Sequence, residues 1–174
     1  MKKINFAVAC LSITLLFAFS GFRKDDSQST RTASTGIRAG TNTSSGSFSV
    51  EEIAYAPTYF LLHLPNLKSS EPFFGMQGWV SKSSLNESSY FISIKGKSVP
   101  ATGVYPLRDF SETGQASLLI QTRNPDKKSY RAQSGELHIT NNGGSITATF
   151  KNVPVKSDVG NFKSQATGTI TIKL

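Results

Sequence analysis

Cysteine is almost absent from this chain: the single one, Cys10, falls in the leader, and no thiol occurs in the remaining sequence. That excludes disulfides, thiolate nucleophiles, iron–sulfur clusters and cysteine zinc sites, so an ordinary hydrophobic core must hold the fold. Histidine is nearly as scarce. His63 and His138 are the only two and stand in neither H-x-H nor H-x-x-x-H spacing. A protein metal site normally takes three or four ligands, so no metal site and no cofactor is expected. There is no G-x-S-x-G, no Gly-rich phosphate loop and no acidic metal loop. Helical spacing sustained over three turns is missing too, which excludes a helical bundle. The eleven acids, among them Glu51, Glu52, Asp109, Glu112, Asp126, Glu136 and Asp158, are dispersed along the chain. A hydrolase built on one acid and base pair among them is the weakest reading, and a non-enzyme is expected.

What is present begins at the N-terminus. Lys2 and Lys3 precede an apolar run from Ile4 to Phe19, followed by Ser20-Gly21 and the polar Arg23-Lys24-Asp25-Asp26. A positive start, an apolar middle and a small-residue exit are the order of an export signal. Ala18 and Ser20 take the positions three and one before Gly21, so residues 1–20 are expected to be a cleaved signal peptide. The product is then exported to the periplasm, the outer surface or the medium. Two other fates stay open: Cys10 after Ala7-Val8-Ala9 as a lipobox, and an uncleaved anchor, because the apolar run approaches the length of a spanning helix. A membrane is a partner only if such an anchor or a lipid is retained. Losing Lys2 and Lys3 lowers the formal net charge from +8 to +6, with 17 basic residues against 11 acidic ones. The cations are scattered, so a solvated basic surface is expected and no nucleic-acid partner.

Residues 21–47 read as a flexible linker. From Ser27 to Ser47 the chain is nearly all Ser, Thr, Gly, Ala, Asn and Arg, with Ile37 the one large aliphatic residue. Too little apolar surface is available there to offset the entropy of ordering. As a Gly/Ser-type coil it would span on the order of 25 Å.

Residues 48–174 form one domain of ordinary size. Patterned runs near 48–55, 58–64, 73–82, 89–96, 102–107, 115–122, 130–140, 145–153 and 162–174 are rich in β-branched and aromatic residues and separated by Gly, Pro, Asn and Ser. They predict an all-β fold, a single antiparallel sandwich or barrel of about eight to nine strands, with a short helical turn at most near 108–114. A hairpin is expected at Asn141-Asn142-Gly143-Gly144. Centring a type I′ turn on Asn142 and Gly143 pairs Thr140 with Ser145, Ile139 with Ile146, His138 with Thr147 and Leu137 with Ala148. His138 then faces solvent. In the last strand Ile170, Ile172 and Leu174 are expected to point inward.

Two stretches resemble known proteins. Phe19-Ser20-Gly21-Phe22-Arg23-Lys24-Asp25-Asp26 is similar to the start of Bacteroidota lipoproteins, with Phe22 standing where the lipidated Cys would be. Ser89 to Ile94, the G-x-Y-x-L stretch Gly103-Val104-Tyr105-Pro106-Leu107, Tyr130 to Thr140 and the Gly168-Thr169-Ile170 finish resemble uncharacterised Bacteroidota secreted or lipoprotein β-domains. The resemblance implies an all-β fold and a cell-envelope address, and it brings no activity.

Aromatics supply the remaining clue. Pro72-Phe73-Phe74-Gly75-Met76-Gln77-Gly78-Trp79-Val80 sets three aromatics and a methionine among glycines. Such a run is either a core strand closely approached by another backbone or an apolar wall for a ligand. If the domain binds a ligand, Tyr59, Phe73, Phe74 and Trp79 are the candidates. The function expected is that of a non-enzymatic envelope module. Its partner is a hydrophobic small molecule, a glycan or an envelope protein, held in a pocket near Trp79 or, alternatively, on a flat patch or sheet edge.

Overall fold

The structure, a computed structural model, describes residues 37–39, 44–81, 87–109, 112–123 and 126–174. Residues 1–20, read as a signal peptide, Phe22 and most of the stretch read as a linker lie outside the described residues. Twelve strands are present and, among the described residues, no helix: β1 (Ile37–Ala39), β2 (Ser45–Val50), β3 (Ile53–Tyr55), β4 (Tyr59–His63), β5 (Phe73–Trp79), β6 (Ser89–Lys95), β7 (Gly103–Pro106), β8 (Ala116–Thr122), β9 (Lys128–Ala132), β10 (Glu136–Asn141), β11 (Ser145–Ser157) and β12 (Lys163–Lys173). β1 and the start of β2 fall within the stretch read as linker.

All twelve belong to one sheet, in the order β1-β4-β5-β6-β8-β9-β11-β12-β2-β3, with β10 joining β11 to β7. Every ladder is antiparallel. β11 pairs with β12 on one edge and serves two neighbours on the other because a bulge between Phe150 and Val153 re-aims it, with Asn152 in the left-handed region (φ 48°). Its first half pairs with β10 and its second half with β9.

The sheet curls around one face. On that inner face lie Phe60, Leu62, Phe74, Met76, Tyr90, Ile92, Leu118, Ile120, Tyr130, Ile146, Phe150 and Ile170, all 5% exposed or less. β2 of one wall meets β6 of the other: the rings of Phe48 and Tyr90 are 4.9 Å apart, and the Tyr90 hydroxyl donates to the Thr169 carbonyl at 3.1 Å. That bond satisfies a buried hydroxyl, is worth about 1 kcal/mol net and ties the two walls together. Burial pushes the Tyr90 pKa far above the usual phenol value.

Two cross-strand rows show how these rings fit. Phe60, Gly78 and Tyr90 stand abreast on β4, β5 and β6, and Phe150, Gly168 and Phe48 stand abreast on β11, β12 and β2. In each row the glycine clears the space that its neighbours' rings occupy: a Cβ on Gly168 would come within 2.5 Å of Phe150 and 2.8 Å of the Ser47 carbonyl. Side chains therefore fill the inside of the curl.

Four local expectations need correction. The run 48–55 is a hairpin, β2 and β3, turning at Glu51 and Glu52 (φ 52° and 66°). The run 130–140 is broken by Gly135 (φ 110°) into β9 and β10. The hairpin after β10 pairs Ile139 with Ala148 and Thr140 with Thr147, two residues along from the expected register. Both registers put Leu137, Ile139, Ile146 and Ala148 inside, so burial could not choose between them. The turn chose: Asn142 N–H donates to the Ser145 carbonyl and the Asn142 side-chain oxygen accepts from the N–H groups of Gly144 and Ser145, which leaves Gly143 and Gly144 at the tip. Leu174 lies past the end of β12 and is 40% exposed, although its N–H still bonds the Gly144 carbonyl. Near 108–114 the described residues turn at Gly114 (φ 82°), and residues 110–111 lie outside them.

Candidate functional site

Alternation along a strand sends adjacent residues to opposite faces. Phe74 is therefore inside, 1% exposed in the core, and does not share a surface with Phe73, which is 40% exposed. Tyr59, Phe73 and Trp79 all lie on the outer face of the sheet. Tyr59 and Trp79 are cross-strand partners with rings 5.6 Å apart. Further along β5, Phe73, His63 and Phe91 gather over Gly75. Phe91 meets His63 edge-on at 5.5 Å and Phe73 at 6.0 Å, and a Cβ on Gly75 would lie 2.9 Å from the Phe91 ring. The glycine thus lets three rings close over one backbone. His63 is anchored there, its Nε2 buried without a hydrogen bond among the described residues. Polar uncharged groups lie between the rings: Gln77 beside Phe91, and Ser93 hydrogen-bonded to Ser117 at 2.7 Å.

This aromatic surface continues into a cationic one. Leu61, Gln77, Phe91 and Leu119 form a cross-strand row on the outer face of β4, β5, β6 and β8. The next positions in the same row are Arg131 on β9, Lys156 on β11 and Lys163 on β12. Arg131 Nε lies 3.6 Å from Asp158 Oδ1. Beside them is a cleft of about 190 Å³ lined by Asp109, Arg131, Gln133, Lys156, Ser157, Asp158 and Asn161. Oδ1 of Asp109 is buried there without a hydrogen bond among the described residues. This grouping was not legible in the sequence, because Arg131 is far from Lys156 and Lys163 in the chain and only the β9–β11 register brings it abreast of them.

The opposite wall has a different surface. On the outer face of β11, β12 and β2 stand hydroxyls, with Thr147 and Thr171 at 2.9 Å and Thr149 and Thr169 at 3.3 Å. One end of the curl is closed by charge: Lys128 Nζ bonds the Glu51 carboxylate, lies 3.7 Å from Asp126 and sits 5.4 Å above the Phe162 ring. Burial and the neighbouring Glu51 carboxylate push the Tyr130 hydroxyl up to about 12. His138 is on the outer face as expected, 3.5 Å from Glu136. No group of three or more metal-ligating side chains occurs among the described residues. No helix among them is long and apolar enough to cross a membrane.

No family model, curated protein or solved structure matches this chain.

Proposed function

We propose that this chain is a non-enzymatic binding module of the bacterial cell envelope, which takes its partner on the outer face of β4, β5, β6 and β8. The observation that carries this reading is where the aromatics are. Tyr59, Phe73, Phe91 and Trp79 stand outside a curl whose interior is already filled, so a ligand meets them as a surface. A lumenal small-molecule site loses its support from the same packing. The edge strands β1, β3 and β7 have three, three and four residues, a short template for strand addition. Glu51, Glu71, Asp126, Asp158 and Glu136 each lie against a basic side chain, which speaks for structural carboxylates over a free acid and base pair. The export-type leader supports the envelope address.

Trp79 is the only tryptophan, so its fluorescence reports on this face alone. The exported chain is titrated with isolated envelope polymers and envelope proteins while that emission is followed. Phe91→Ala and Phe73→Ser should weaken binding at least tenfold with little change in melting temperature. Binding that survives both substitutions undiminished overturns the reading.

A further inference from the structure

We infer that the outer face binds an acidic polysaccharide, with sugar rings on its aromatic half and their carboxylates or sulfates on its cationic half. The inference rests on the proposed binding face and adds the chemical class of the partner.

The register is the first ground. Phe91, Leu119, Arg131 and Lys156 are consecutive cross-strand neighbours, so the aromatic and cationic halves are continuous. At one strand spacing per step, Phe91 and Arg131 are roughly 10 Å apart, within reach of a short stretch of glycan. The second ground is the placement of like charges. Arg131, Lys156 and Lys163 stand directly opposite one another, an arrangement that costs stability when nothing intervenes. Asp158 answers Arg131, but among the described residues neither Lys156 nor Lys163 has an ion pair. Asp109 is a second acid in the adjacent cleft, so three cations outnumber two acids and leave the row positive. A polyanion supplies the missing counter-charge.

The groups between the rings point to a glycan over a lipid. A lipid-inserting surface presents protruding apolar side chains backed by cations. Here the Phe91 ring packs edge-on against His63 and Phe73, and Gln77, Ser93 and Ser117 beside them offer donors and acceptors suited to sugar hydroxyls. Gln133, Ser157 and Asn161 line the cleft with further ones.

The test titrates the full exported chain with polygalacturonate, alginate and chondroitin sulfate, and with fully methyl-esterified polygalacturonate, which keeps the sugar backbone and lacks the charge. Trp79 emission and calorimetry are the readouts. At least one acidic polymer should bind at least tenfold more tightly than the ester, with affinity falling as salt rises. Lys156→Glu and the exposed Lys163→Glu should each weaken it about tenfold while melting like the wild type. Phe91→Ala should weaken the acidic polymer and the ester alike. Equal binding of acid and ester, independent of salt and lost in Phe91→Ala, overturns the acidic class and leaves the binding face intact. Acid binding unaffected by Phe91→Ala and Trp79→Ala overturns both. Binding to anionic phosphatidylglycerol vesicles without any to the acidic polymers also overturns the glycan assignment, as does binding to none of these probes.

Discussion

Glu51 and Lys128 close one end of the curled sheet: both carboxylate oxygens lie within hydrogen-bonding reach of Nζ, at 3.0 and 3.3 Å. The contact joins the tip of the β2–β3 hairpin to the start of β9, positions 77 residues apart. Burial alone would raise the Glu51 pKa, but the neighbouring Tyr130 hydroxyl and the hydrogen-bonded Lys128 ammonium outweigh it and hold the carboxyl below its ordinary value. The same hydrogen bond to Glu51 raises Lys128 above its ordinary value against a smaller opposing effect of burial.

These directions fix the pH dependence of stability. A carboxyl lowered in the folded state stabilises fully above the unfolded carboxyl pKa, and the contribution disappears as pH falls through the folded value. For Lys128, and for Tyr130 with its pKa pushed up to about 12, the contribution is full below the unfolded value and is lost as pH rises through the folded one. Stability should therefore be flat across neutral pH and fall on both sides. In urea melts at a series of pH values, Glu51→Gln should be less stable than the parent at pH 7, and the gap should narrow as the solution is acidified below about pH 4. A gap that is constant with pH would mean that the Glu51 charge adds nothing to the fold.

Glu52, the other residue of that turn, faces solvent and makes no ion pair among the described residues, yet holds φ at 66°. A two-residue turn between the paired Val50 and Ile53 needs positive φ at both central positions, a demand that glycine or asparagine meets with less strain than glutamate. Glu52→Gly should stabilise the domain by about 0.5 to 1 kcal/mol, since relief of left-handed strain exceeds the added entropy of the unfolded chain. Glu51→Gly relieves similar strain but gives up the Lys128 contact, so its denaturation midpoint should lie below that of Glu52→Gly.

This hairpin also marks a limit of the sequence reading. Apart from β9 and β10, merged in the run 130–140, alternation located the strands from 59–63 onward to within a few residues, because the core needs one apolar face and the period of two is rigid. Two adjacent glutamates carry no turn signal, and the run 48–55 therefore looked continuous. At β10–β11 the pattern fixed which residues point inward but constrained register only to within an even number of residues, and the Asn142 side chain decided the rest. The candidate site was legible to the same degree. Tyr59, Phe73 and Trp79 share one face of the sheet, whereas Phe74, adjacent to Phe73, had to take the other. His63 and Phe91 join the patch through strand order, and strand order is set by long-range packing that no local window contains.

The β10–β11 turn gives a test that is independent of its register. Gly143 has φ of 81° and no heavy atom within 4 Å of where a Cβ would stand, so a side chain there meets backbone strain and nothing else. Gly143→Val should destabilise by about 1 to 3 kcal/mol, the cost of holding a β-branched residue in the left-handed region. His138→Ser, on the solvent side of the same hairpin, should stay within about 0.5 kcal/mol of the parent. Denaturant melts of the two variants separate turn strain from packing. A severe His138→Ser beside a mild Gly143→Val would place the histidine in the core.

Gly168 tests the packing of the interior. Its φ is ordinary, so the reason for a glycine there is steric: the Phe150 ring lies over it and the Ser47 carbonyl lies behind it. A methyl group must displace either a core ring or the backbone of β2, and overpacking of this kind typically costs about 1 to 3 kcal/mol. Gly168→Ala should fall in that range, while Gly96→Ala, with open space at the Cβ position, should change stability by less than about 0.5 kcal/mol. If the Phe150 ring is what the methyl meets, Phe150→Leu should make room for it. The double variant should then be more stable than the sum of the single effects predicts, since residues in contact couple. Strict additivity would assign the cost to the Ser47 backbone, and a neutral Gly168→Ala would show that the interior has slack which the close ring contact denies.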